Sequence, residues 1–143
     1  MAKEPPKFGL PGALQPADLL HFVELDGFTD EWEHLGLDDD DLNKLQFALM
    51  EGGKRSPIVP GTGGLRKMRF APERWKMGKR GAIRVCFCWL EMFGIVLLIT
   101  AYAKNEQSSL SARAKRMFRK LIETAEAELE ARRRTRKSRG TNP

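Results

Sequence analysis

The stretch Gly61-Thr-Gly-Gly-Leu-Arg-Lys-Met-Arg-Phe70 joins a glycine-rich turn to a short run in which basic and apolar residues alternate. Because successive side chains of a β-strand point to opposite faces, Leu65 to Ala71 is predicted to be a strand with Lys67 and Arg69 on one face. Between Lys54 and Arg84 the chain has ten Lys or Arg residues and a single acid. This density of positive charge favours an anionic partner, most commonly a phosphate-rich one.

Two further apolar runs follow this strand. Ala82 to Leu90 and Gly94 to Lys104 are rich in β-branched and aromatic residues, and Glu91 to Gly94 is short enough to be a hairpin connection. Together with Leu65 to Ala71 they predict an antiparallel three-stranded meander. Leu19 to Leu25 is predicted to add a first strand at one edge of it.

Three helices are predicted around this sheet. Thr29 is expected to cap a short helix that ends at Gly36, and Asp38 to Asp41 to cap a second. A metal site at these aspartates is disfavoured because the spaced ligands and glycine of a calcium loop are missing. Ser109 or Ser111 is expected to cap a last helix. Its apolar residues recur at helical spacing: Leu110, Ala114, Met117, Phe118, Leu121, Ile122, Ala125 and Leu129. The fold class is therefore α+β, a small antiparallel sheet flanked by helices.

The composition predicts one domain with two irregular ends. Residues 1–16 are rich in proline and glycine and are expected to be disordered, 17–130 form the domain, and 131–143 are a basic tail. That tail is either a solvated extension or a contact to RNA. The chain carries a net charge of +6, and its pI is about 9.6.

The location predicted from the sequence is cytoplasmic. No secretory signal is visible, and the longest apolar run, Ile95 to Ala103, is shorter than the roughly 20 residues that span a bilayer. Cys86 and Cys88 are two residues apart on a predicted strand, so they point the same way and are poorly placed to bond to each other. We expect them to be buried, reduced thiols.

Basic side chains from separate strands are predicted to converge. Lys67 and Arg69 share one face, Arg84 opens the next strand, and Lys104 closes the third. In an antiparallel meander, the start of one strand lies beside the ends of its neighbours, so these groups could line one shallow groove and hold phosphates. A solvated basic face without catalysis remains an alternative.

Three motifs occur in order along the chain: the stretch Gly61 to Ala71, then Gly78-Lys-Arg-Gly81 with Arg84-Val, then Ala101-Tyr-Ala-Lys-Asn-Glu106. They resemble the RelE/ParE superfamily of toxins from type II toxin–antitoxin systems, most of all its HigB-like branch. The resemblance implies a RelE-like fold and a metal-independent, cofactor-free endoribonuclease (mRNA interferase). Such an enzyme cleaves translated mRNA on the ribosome by attack of a 2′-hydroxyl on the adjacent phosphate.

The resemblance also implies roles for individual residues. Lys67, Arg69, Arg84 and Lys104 match its catalytic positions, with the arginines stabilising the phosphate and a lysine acting as general acid or base. Three other basic residues are expected to bind the RNA backbone: Arg66, Lys79 and Arg80. Neither His21 nor His34 lies in a motif, and Tyr102 faces either the core or the groove. Cys88 stands where the branch often has an aromatic residue.

The partners implied are a cognate helix-turn-helix antitoxin, the ribosome and mRNA, with no membrane. Two other functions remain open at this point. One is a non-catalytic protein that binds RNA or the ribosome, and the other is a gyrase-poisoning toxin of the ParE type, since one fold serves both activities.

Overall fold

A computed structural model describes residues 20–72, 75, 82–103 and 110–140, with side chains as far as Thr135. These residues form four strands and three α-helices. The strands are β1 (His21–Glu24), β2 (Leu65–Phe70), β3 (Ile83–Leu90) and β4 (Ile95–Ala103). The helices are α1 (Asp26–His34), α2 (Asp39–Gly52) and α3 (Ala112–Gly140). The predicted α+β class is therefore confirmed.

The strands form one sheet in the order β1-β4-β3-β2. β2, β3 and β4 pair antiparallel, which confirms the predicted meander, and β1 lies at an edge as expected. The prediction of a purely antiparallel sheet is wrong at that edge, because β1 runs parallel to β4. Two helices follow β1 before the chain re-enters the sheet, and a connection of that length permits either direction, whereas a tight hairpin does not.

The two faces of the sheet are covered by different helices. The face that packs against α1 and α2, here called the helix-pair face, contributes fully buried residues such as Val85, Phe87 and Leu98. The opposite face, here called the α3 face, packs its own apolar residues against α3, around the fully buried Ile122. Both cysteines lie on the α3 face, buried and unbonded, as the spacing predicted.

The first helix begins earlier than predicted. Asp26 is already helical, and Leu25 precedes it as an N-cap without a side-chain bond. Thr29 is not a cap; its hydroxyl donates to the Glu24 carboxylate at 3.0 Å. The helix can begin directly after β1 because the acidic residue in its first turn complements the dipole. Gly36 ends it as expected, with a φ of 79° in the left-handed region that favours glycine.

The aspartate run caps α2, as predicted. The Asp38 carboxylate accepts from the Asp41 N–H at 2.9 Å, and the Asp41 carboxylate accepts from the Asp38 N–H at 2.9 Å. This reciprocal pair satisfies two N–H groups that helix geometry leaves without partners. The indole of Trp32 donates to the Asp38 carbonyl at 3.1 Å, which fastens α1 to the start of α2.

The last helix is capped by Ser111, whose hydroxyl oxygen accepts from the Ala114 N–H at 3.1 Å; Ser109 lies outside the described residues. Most of its predicted apolar positions pack on the sheet, but Met117 is 58% exposed. Met117 precedes Ile122 by five residues, about 140° around the helix, and so points away from the sheet. The helix continues to Gly140, through most of the predicted basic tail. Within the described residues, no helix is long and apolar enough to cross a membrane.

Candidate functional site

The glycine-rich turn before β2 is held from inside by a threonine. Thr62 is fully buried, and its hydroxyl donates to the Val59 carbonyl at 2.6 Å and accepts from the Leu65 N–H at 3.0 Å. Gly64, with a φ of 123°, adopts a conformation that residues with a side chain rarely reach. This turn fixes where β2 begins, and therefore which of its residues face α3.

The Arg66 side chain joins β2 to the segment that contains Lys54 and Ser56. It lies on the opposite face from Lys67, and its guanidinium donates to the carbonyls of Lys54 at 2.9 Å and Ser56 at 2.6 Å. The segment next to β2 is also joined to it by a bond from the Lys67 N–H to the Pro57 carbonyl at 3.3 Å. Arg66, predicted to bind RNA, is thus separated from the other predicted site residues, and its donors are directed at backbone oxygens.

Three predicted catalytic residues lie together on the α3 face, and we call them the basic cluster: Lys67, Arg69 and Arg84. Arg69 and Arg84 are direct partners across the β2–β3 pair, while Lys67 is opposite Cys86, one pair further along. Directly opposite side chains in such a ladder start about 5 Å apart and diagonal ones about 7 to 8 Å apart. All three cationic groups can therefore reach one phosphate.

The basic cluster is accessible, and its positive charge is not paired with any carboxylate of the described residues. Arg69 is exposed, and Lys67 and Arg84 are half-buried. The Arg84 guanidinium donates to the Ala82 carbonyl at 3.2 Å. In the described part of the chain, no carboxylate forms an ion pair with any of the three. Like charges directly opposite each other on a sheet are destabilising, and an anion bound between them removes that cost.

The residues beneath the basic cluster are uncharged. Burial raises the pKa of the Cys86 thiol to about 11, with nearby Lys67 opposing the shift. Tyr102 is opposite Arg84 and is 5% exposed, and its pKa is also raised, mainly by burial. Its hydroxyl is buried beside the Cys86 thiol, and no oxygen or nitrogen atom of the described residues forms a hydrogen bond with it. Tyr102 thus belongs to the core of the α3 face and also lies next to the cluster, and among Tyr102, Cys86 and the cluster the charges at neutral pH are those of the three cationic side chains.

Lys104, Lys79 and Arg80 lie outside the described residues. His21 is exposed on β1, at the opposite edge of the sheet from β2, and His34 is exposed at the end of α1.

The position of Tyr102 could not be derived from the sequence, because a β-bulge decides it. Phe87 pairs with Leu98, but its neighbour Cys86 pairs with Thr100, so Ile99 is an extra residue. Continuing the register of the hairpin without the bulge places Ala101 opposite Arg84. The bulge puts Tyr102 there instead.

No family model matches the chain. Among solved structures, the chain is similar to a free-state structure of the E. coli toxin RelE in which two arginines are replaced by alanine. The match covers 63% of this chain and 88% of that chain at 12% sequence identity, with a TM-score of 0.44.

Proposed function

We propose that this protein is the toxin of a type II toxin–antitoxin system and cleaves translated mRNA on the ribosome. The observation that carries the proposal is the direct opposition of Arg69 and Arg84, with Lys67 diagonal to them, on an accessible part of the sheet without a compensating carboxylate in the described residues. Two guanidinium groups facing each other lower the stability of the protein unless an anion binds between them. A phosphodiester of RNA supplies that anion, and its geometry suits bidentate guanidinium contacts.

The reaction proposed is a transesterification within the RNA. The ribose 2′-oxygen attacks the adjacent phosphorus, the bond from phosphorus to the 5′-oxygen breaks, and the products end in a 2′,3′-cyclic phosphate and a 5′-hydroxyl. A base removes the proton of the 2′-hydroxyl, and an acid returns one to the leaving oxygen. Arg69 and Arg84 stabilise the negative charge that grows on the phosphate oxygens in the transition state.

Lys67 is our candidate for acid–base chemistry in the described part of the site, and Lys104 is proposed to share that work. Lys67 is half-buried at the rim of the α3 face, beside the neutral thiol of Cys86. A lysine diagonal to Arg84 across the strand pair is within reach of a phosphate that the two arginines hold. Lys79 and Arg80 are proposed to bind the RNA backbone around the cleaved phosphate. A cognate helix-turn-helix antitoxin is the proposed inhibitor of this activity.

The test is induction of the chain in a bacterial host, with mapping of mRNA 5′ ends. We expect cuts inside translated codons and arrest of growth. Arg84→Ala should reduce cleavage by about 100-fold to 1,000-fold, the usual loss when one transition-state donor is removed. Lys44→Ala is the matched control. It removes one exposed positive charge from α2, which covers the other face of the sheet, and this variant should cleave RNA like the wild type.

Three outcomes contradict the proposal. Growth arrest with DNA damage and intact mRNA indicates a gyrase poison. Ribosome binding without cuts, in the wild type as well as in Arg84→Ala, indicates a binding protein without catalysis. Cleavage by Arg84→Ala at the wild-type rate shows that the basic cluster is not the active site.

A further inference from the structure

The C-terminal end of α3 concentrates almost all of the protein's net charge. We call residues 130–140 the arm. It has a single acid, Glu130, and six basic residues: Arg132, Arg133, Arg134, Arg136, Lys137 and Arg139. The arm therefore has a net charge of +5, out of +6 for the whole chain. A charge so localised creates a strong field at one end of a molecule that is otherwise close to neutral.

The arm continues beyond the hydrophobic core. Leu129 is the last residue of α3 that packs against the α3 face, and the helix runs on for eleven residues to Gly140. At 1.5 Å per residue, the arm is about 16 Å long. Residues 131–135 are all exposed. Burial against the sheet therefore does not explain why residues 131–135 are helical or why they are basic.

Ion pairs within the helix neutralise only part of the charge. Arg132 pairs with Glu128 at 3.1 Å and Arg133 with Glu130 at 3.2 Å. Such exposed pairs contribute about 0.3 to 0.5 kcal/mol each, so a stronger anion can displace them. Arg134 is exposed and has no carboxylate partner in the described part of the chain.

The composition of the arm indicates which class of partner it can bind. Between residues 130 and 140, alanine is the only apolar residue apart from glycine. A helix that binds a membrane surface needs large apolar residues on one face, and the arm has none. Arginine predominates over lysine five to one, and the planar guanidinium suits bidentate contact to phosphate.

We propose that the arm binds the phosphate backbone of structured RNA, as a second contact surface apart from the basic cluster. The choice of RNA over other polyanions rests on the proposed function, in which the protein acts on ribosome-bound mRNA. The arm supplies affinity that is largely independent of sequence, and the basic cluster supplies the chemistry.

The test uses a fluorescent 2′-O-methyl RNA duplex of about 20 base pairs, long enough to present successive grooves. This probe has no free 2′-hydroxyl and cannot be cleaved by the proposed reaction, so the result does not depend on catalysis. Its affinity for the full chain is measured between about 50 and 200 mM salt. The arm variant is Arg132→Ala/Arg134→Ala/Arg136→Ala; alanine preserves helix propensity, and circular dichroism checks the fold.

The matched control is Lys44→Ala/Arg55→Ala/Lys120→Ala, which removes the same charge from three exposed positions elsewhere. We expect the arm variant to lose at least about tenfold in affinity and to lower the salt slope by about 2 or more, since each lost phosphate contact lowers it by about 0.9. The control should change affinity by less than about threefold, because its charges are dispersed.

Several results overturn the proposal. Equal weakening of both variants shows a general charge effect, and an arm variant that binds like the wild type shows a solvated tail. Arm-dependent binding to phosphatidylglycerol vesicles, without binding to the duplex, shows a membrane contact. Absence of mRNA cleavage by the wild type contradicts the proposed function but leaves a positive duplex result intact, so the two failures can be told apart.

Discussion

The two faces of the sheet differ in the side chains that they carry. The helix-pair face is apolar along β3, from Ile83 through Val85 to Phe87, and α1 and α2 cover it. The α3 face is apolar near Cys88 but becomes basic towards Arg84 and Arg69. The same two strands thus serve a hydrophobic core on one side and a cluster of like charges on the other. Since period-two alternation separates the two, the repulsion on one face is offset by packing on the other.

The largest effect on this difference is expected from a substitution that leaves a cavity in the core of the helix-pair face. Phe87 is fully buried there, in the same strand as Arg84. Phe87→Ala should lower the free energy of unfolding by about 3 to 5 kcal/mol, through lost transfer energy and a residual cavity. Urea unfolding gives the midpoint and the slope.

The matched control for that change is Phe118→Ala on α3, because Phe118 is only partly buried. It should cost clearly less than Phe87→Ala. Equal losses for the two variants mean that the two faces contribute alike, and the comparison fails.

The second prediction concerns alkaline pH. In the unfolded chain, a cysteine releases its proton near pH 9, whereas burial on the α3 face holds Cys86 protonated to about pH 11. Between these values the unfolded state binds fewer protons, so the free energy of unfolding falls as pH rises. Stability from this source is fully present below pH 9 and lost above it, by at most about 1.4 kcal/mol per pH unit.

Burial also raises the pKa of the neighbouring Cys88 thiol to about 11, so the measurement must isolate the thiol of Cys86. The comparison is the pH dependence of unfolding in the wild type against Cys86→Ala. A shallower decline between pH 9 and 11 in the variant supports the buried thiol, and parallel curves contradict it. The helix-pair face has no ionisable residue on β3, so the effect belongs to the α3 face.

Local patterns in the sequence predict much of this arrangement. Alternation along Leu65 to Phe70 was enough to place Lys67 and Arg69 on one face, and the aspartate run was enough to place the cap of α2. Both depend on neighbours in sequence. The direction of β1 and the partner of Arg84 depend on contacts between distant segments and on one extra residue at Ile99, which no local period reveals.

The function of Arg66 was also out of reach of the sequence. It is the same residue type as Arg69, three positions later on the same predicted strand, and both were expected to contact RNA or its phosphate. Only the folded chain shows that the turn at Lys54 to Ser56 returns beside β2 and presents carbonyl oxygens to Arg66.

The smallest predicted effect separates these two arginines of one strand. Arg69→Thr removes a positive charge from opposite Arg84 and introduces a residue that strands favour, so it should raise the free energy of unfolding by about 0.2 to 1 kcal/mol. Arg66→Thr makes the same chemical change on the other face but leaves two carbonyl oxygens without their donor. It should lower stability by about 1 to 3 kcal/mol.

The prediction is that the two substitutions change the free energy of unfolding in opposite directions. The dependence of each change on salt provides a second check. Because the gain from Arg69→Thr comes from relieved repulsion between accessible charges, it should shrink towards zero at about 1 M salt, where the Debye length is about 3 Å. The loss from Arg66→Thr should persist, since it reflects hydrogen bonds. If both variants destabilise the protein at low salt, the charges of the basic cluster are not in conflict in the free protein, and the need for a bound phosphate at that site is not supported.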